Sequence, residues 1–107
     1  MRVLVLSDVH SSKGAIDVVS ADIKEHTPDL LIICGDVTHF GPISFADKFL
    51  GSIPLKTIRT LAIPGNCDPP EVLSLLQEMG ISLHGKLVNM GGLDFVGFGG
   101  SNITPFN

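Results

Sequence analysis

The sequence predicts an α/β fold, an amino-terminal βαβαβα unit followed by a β-hairpin. Strand-like and helix-like stretches alternate along most of the chain, and the strand-like runs show no polar face. The composition is rich in aliphatic residues and lacks Trp and Tyr. Strands without a polar face belong to parallel sheets covered on both sides, and strand-helix alternation is how such sheets are built. At 107 residues the chain has the length of one small domain.

From Arg2 to Leu6 every position after the first is Val or Leu, so the first strand reads as covered on both faces. Asp8 to Gly14 forms a loop in which Ser11 or Ser12 can cap a helix. The apolar face of that helix is Ala15, Ile16, Val19 and Ile23, with Asp17, Asp22, Lys24 and Glu25 outside. Thr27 and Pro28 stop it. A second strand, Leu30 to Cys34, runs into Gly35 and Asp36.

Gly41 and Pro42 open the next helix, whose inner face is Ile43, Ala46, Phe49 and Leu50 and whose end is Gly51. The third strand, Thr57 to Ile63, meets the turn cluster PGNCDPP. Asp68 then reads as a helix cap, with Pro69 and Pro70 in the first turn and Glu71 three residues on. Val72, Leu75, Leu76 and Met79 follow at helical spacing, and Gly80 closes the helix. This order reads as a doubly wound half. Between Ile81 and Gly99, KLVNM, GG and LDFVGF make a hairpin.

The net charge of −4 comes with no basic run, which argues against a duplex nucleic-acid partner. The longest apolar runs are strand-length, far short of the ~20 residues that cross a membrane as a helix. Cys34, inside an apolar run, reads as a small buried hydrophobe, and Cys67 lies in a loop. With no CxxC spacing and no secretory leader before Met1, both read as reduced thiols, and a cytoplasmic location is expected. The phenylalanines read as core residues.

The chemistry concentrates at three strand exits. LVLSDVH delivers Asp8 and His10 two positions apart, so in an extended chain both point the same way. LLIICGD delivers Asp36, and TLAIPGN delivers Asn66. Ligands of open parallel sheets bind beyond the carboxyl ends of the strands, where all four residues fall. Each acid taken singly also reads as a turn former. As a set, carboxylates, imidazole and amide oxygen suit divalent Mn, Fe, Co, Ni or Zn more than calcium. Asp36 can bridge two such ions, which together activate water for phosphate-ester hydrolysis.

SDVH at Ser7–His10, GDVTHFG at Gly35–Gly41 and GNCD at Gly65–Asp68 resemble, in order and spacing, the first three signature motifs of the calcineurin-like metallophosphoesterases. GNCDPPEV and the later FVGFGGSN look most similar to small prokaryotic phosphoesterases of that superfamily. The resemblance implies an α/β/β/α sandwich of two similar halves and a pair of divalent ions, with Mn favoured. It implies that Asp8 and His10 bind the first ion, that Asp36 bridges, and that Asn66 binds the second and meets substrate.

Two departures from the family pattern matter. The family's remaining ligands are histidines of a second half, and this sequence contains no such motifs. Residues 1–107 therefore read as the amino-terminal part of a single metallophosphoesterase domain. Neither His26, at a helix end, nor His84, before Gly85, replaces those ligands. Cys67 stands where many relatives carry the histidine that protonates the leaving group. His39 can point into the site as a donor in its place, or sit as a surface loop residue. Ser101 and Asn102 follow a strand and can line the substrate cleft.

Three functions fit: a two-metal phosphoesterase acting on a small phosphate ester, an inactive metal-binding half-domain, and an interaction scaffold of the same fold. A sheet covered on one face only would also expose an apolar surface, through which two copies are expected to pair.

Overall fold

The aliphatic runs form strands and the periodic stretches form helices, in the order that the sequence suggests. A computed structural model of the chain describes residues 1–101. The elements are β1 (Val3–Leu6), α1 (Gly14–His26), β2 (Leu30–Cys34), α2 (Ile43–Gly51), β3 (Arg59–Ile63), α3 (Pro70–Glu78), β4 (Lys86–Met90) and β5 (Leu93–Gly97).

Strands β1, β2 and β3 are parallel and lie in sequence order, with Val5 beside Ile32 and Ile32 beside Leu61. Because the order never reverses, right-handed crossovers carry every helix to the same face. The main core records this. Leu31, Ile33 and Ala62 from the sheet pack with Ile23 of α1, Phe49 and Leu50 of α2, and Val72 and Leu76 of α3. The half is therefore singly wound, and the doubly wound expectation is corrected.

The other face has a smaller core of Leu30, Leu61 and Leu83, with Ile32, Ile63, Val88, Met90 and Phe95 packed against it. Residues 81–84 run beside β3, where the Ala62 amide donates to the Ile81 carbonyl and the Leu83 amide to the Ala62 carbonyl, each at 2.8 Å. The hairpin follows, turning on Gly91 and Gly92 at φ of 61° and 77°. Two successive positive φ values make the hairpin turn whose twist matches the strands, and glycine supplies them without strain.

This cover reaches β3 but not β1, where Val3 is 37% and Val5 57% exposed. The expectation that the first strand is covered on both faces fails for that reason. Cys34, on the same face at the end of β2, is exposed rather than buried. Among the phenylalanines, Phe49 is buried with Phe45 stacked on it, whereas Phe40 and Phe98 are exposed.

Two helix starts also differ from expectation. Lys13 occupies the cap position of α1 and makes no side-chain cap bond, so neither Ser11 nor Ser12 caps. Pro69 occupies that of α3, with Pro70 in the first turn as expected. Asp68 faces elsewhere. No helix among the described residues is long and apolar enough to cross a membrane.

Candidate metal centre

The centre is built where β1 and β2 stop. β1 ends at Leu6, and Asp8, His10 and Ser11 take left-handed backbone at φ of 61°, 50° and 58°. Alternation along an extended chain therefore does not align Asp8 with His10. A left-handed turn does. Such conformations cost on the order of 1–3 kcal/mol each for residues with a side chain, and they persist where neighbours enforce them. Here the amides of Asp8, His10 and Ser11 donate to the carbonyls of Gly35, Asp36 and Val37 at 3.2, 2.9 and 3.0 Å. The first loop is laced residue by residue to the second, in which Asp36 is also left-handed at φ 55°.

The lacing brings the side chains together. His10 Nε2 lies 3.1 Å from Asp8 Oδ1 and 3.9 Å from Asp36 Oδ2. Asp8, His10 and Asp36 each offer a ligand atom within 4.8 Å of the others. The Cys67 amide donates to Asp36 Oδ1 at 2.9 Å, which orients the carboxylate with its other oxygen on the histidine side. The Ser7 hydroxyl donates to Asp8 Oδ2 at 2.7 Å. That bond first, and His10 second, hold the Asp8 carboxyl below its usual pKa. Two carboxylates and one imidazole, half-exposed and mutually close, fit a divalent cation.

The third loop closes against Asp36. A Cβ on Gly65 would fall on the Asp36 amide and carboxylate, so only glycine allows this approach. Next to it, Asn66 is half-buried with Nδ2 directed to Cys67 Sγ at 3.8 Å. Asp68 is 6% exposed and accepts from the amides of Val37, Thr38 and Gly65 and from the Thr38 hydroxyl, at 3.3, 2.7, 2.8 and 3.0 Å. It ties the second loop to the third rather than capping α3.

His39 is exposed and sits over the centre, its Nδ1 3.4 Å from His10 Nδ1. Its amide donates to Ser11 Oγ, which donates in turn to the Gly41 carbonyl. Cys67 is half-buried, and burial followed by Asp36, Asp68 and Asp8 pushes its thiol pKa up. Ser101 is exposed, and Asn102 lies outside the described residues. A groove of about 350 Å³ begins at Ser11 and runs between α1 and α2, lined also by Lys13, Ile16, Pro42, Phe45 and Lys48. Sequence reasoning missed Ser7, Ser11 and the tying role of Asp68. The only signal for Ser7 and Ser11 was a hydroxyl next to a candidate ligand.

Fold and cluster together define an α/β protein with a candidate divalent-metal centre at the carboxyl ends of parallel strands. Residues 1–104 match the family model described as calcineurin-like phosphoesterase, and the chain belongs to that family. A relative from Methanocaldococcus jannaschii, "Uncharacterized protein MJ1162", is 34% identical over 107 residues, covering 100% of this chain and 47% of its own. The crystal structure of TT1561 of Thermus thermophilus superposes with a TM-score of 0.75 at 15% identity, covering 92% of this chain and 49% of that one. A second crystal structure gives 0.73 at 20% identity, covering 92% and 52%. At those identities the likeness shows the fold. The chain spans about half the length of these relatives.

Proposed function

We propose that the chain acts in metal-dependent hydrolysis of phosphodiesters or phosphomonoesters, with Asp8, His10, Asp36 and Asn66 holding two divalent ions, Mn favoured. The observation that carries this reading is the convergence of Asp8, His10 and Asp36 within 4.8 Å in a chain of the phosphoesterase family. Bound there, the ions would lower the pKa of a water and neutralise phosphoryl charge.

The residues divide the remaining work. Ser7 stabilises the Asp8 carboxylate by a hydrogen bond, and the Cys67 amide fixes the rotation of Asp36. With its pKa raised, the Cys67 thiol keeps its proton at neutral pH and can give it to a leaving group, with exposed His39 as the other donor. Ser101 and Asn102, beyond β5, are assigned to the substrate cleft. Lys13 and Lys48 in the groove beside Ser11 suit the anionic remainder of a phosphate ester. We place the protein in the cytoplasm, on its two unpaired thiols.

Residues 1–107 serve in this reading as the amino-terminal part of one metallophosphoesterase domain, a view supported by the coverage of about half of each relative. The same coverage favours a second reading, a metal-binding portion with negligible turnover by itself. Self-association through the open face of the sheet, where Val3 and Val5 are exposed, belongs to either. Assay of a chromogenic phosphodiester with Mn separates them. Turnover abolished by Asp36→Ala supports the enzyme. Mn binding by calorimetry without turnover supports the second reading, and neither binding nor turnover overturns both.

A further inference from the structure

His10 presents its two ring nitrogens to different neighbours. Nε2 faces Asp8 and Asp36, whereas Nδ1 faces His39. A ligand atom from each of His10, His39 and Cys67 also lies within 4.8 Å of the other two. We infer that these three residues form a thiolate-containing metal subsite that takes a borderline-soft divalent ion such as zinc or cobalt. It shares His10 with the carboxylate cluster, and it does not rest on phosphate-ester hydrolysis.

The geometry suits such an ion. Two nitrogens bound at ~2.0–2.1 Å to a tetrahedral ion stand ~3.3–3.4 Å apart. His10 Nδ1 and His39 Nδ1 are 3.4 Å apart, with ring planes 74° from each other, so the nitrogens approach without stacking of the rings. Cys67 adds the soft ligand. On binding, its thiol gives a proton to solvent as the sulfur-metal bond forms, and Asn66 Nδ2, at 3.8 Å, is placed to donate to the resulting thiolate. Three protein ligands leave a tetrahedral ion one open position.

Ligand softness sorts the two sites. Oxygen from Asp8 and Asp36 suits manganese, and sulfur with two imidazoles suits zinc or cobalt. An ion held by His39 and Cys67 would also take both out of proton donation. The chain can then bind a thiophilic ion in a way that opposes the proposed hydrolysis.

Cobalt titration of the full chain, in buffer without added thiols, tests this through the near-ultraviolet thiolate-to-cobalt charge-transfer absorption. The band is expected in the wild type, in Asp36→Asn and in Cys34→Ser, and it should vanish in Cys67→Ser. His39→Ala should weaken cobalt binding by about 10- to 100-fold, the range that even outer-shell partners reach. Circular dichroism confirms that each variant is folded. Saturating cobalt without the band, or a band removed by Cys34→Ser instead, would overturn the subsite. Manganese calorimetry keeps the two sites apart, because loss of Mn binding in Asp36→Asn reports the carboxylate cluster alone.

Discussion

Ser7 is the main cause of the lowered Asp8 pKa. Its hydroxyl bond stabilises the carboxylate more than the carboxylic acid, so the folded-state pKa lies below the unfolded one. The sign follows: this contribution to stability is present above the ordinary carboxylate range and is lost as pH falls through the lowered folded value. Ser7→Ala should move the Asp8 titration upward, toward the ordinary range, as read by carboxyl-carbon NMR of the metal-free chain. An unmoved titration would remove Ser7 from this role. The thiols allow a second residue-scale test. Cys34 is exposed, whereas Cys67 is half-buried beside Asp36, Asp68 and Asp8, which disfavour its thiolate. Iodoacetamide should modify Cys34 first, and Asp36→Asn should speed modification of Cys67. Mass spectrometry of digests reads both rates.

At the scale of elements, the three loops after β1, β2 and β3 hold one another in place by hydrogen bonds from loop to loop. Asp68 joins the second loop to the third by accepting from four donors, three of them backbone amides. Asp68→Ala would leave those donors without an acceptor at about 1–3 kcal/mol apiece before relaxation. A loss of about 3 kcal/mol or more in urea unfolding is expected, together with weaker Mn binding. Gly65→Ala should act on the same joint, since its Cβ would meet Asp36. There the expected cost is about 2 kcal/mol or more, and Mn affinity should fall even in the folded fraction. The same joint separates what the sequence made legible from what it did not. Apolar runs and helical spacing reveal every strand and helix among the described residues, because burial imposes those patterns. Strand exits marked Asp8, His10 and Asp36 as neighbours in space. An extended chain would align Asp8 with His10 by alternation, yet their alignment comes from left-handed turns fixed by bonds between loops, and no local pattern records those. Asp68 shows the limit most clearly. Standing before two prolines it has every local mark of a cap, and long-range amides claim it instead.

At the scale of the molecule, the order β1-β2-β3 puts all three helices on one face and leaves the other to a two-stranded hairpin. The hairpin covers the β3 side, so Val3, Val5 and Cys34 remain on an open apolar strip. Apolar surface beyond a few hundred Å² tends to be covered by a partner, and burying it is favourable by roughly 25 cal/mol per Å². Two copies of this chain can cover each other's strip sheet to sheet. Light scattering of the isolated chain should then give twice the chain mass. Val5→Glu places a charge at the centre of the strip, where desolvating it in a dimer is costly, while in a monomer the side chain stays in water. The variant should scatter as a monomer and lose only about 0.5 kcal/mol of monomer stability, the usual range for an exposed position. A wild-type chain that stays folded and monomeric at high concentration would show that the strip is tolerated in water. A Val5→Glu chain that still dimerises would place the contact elsewhere, on the exposed outer side of the hairpin at Leu87, Val96 and Phe98.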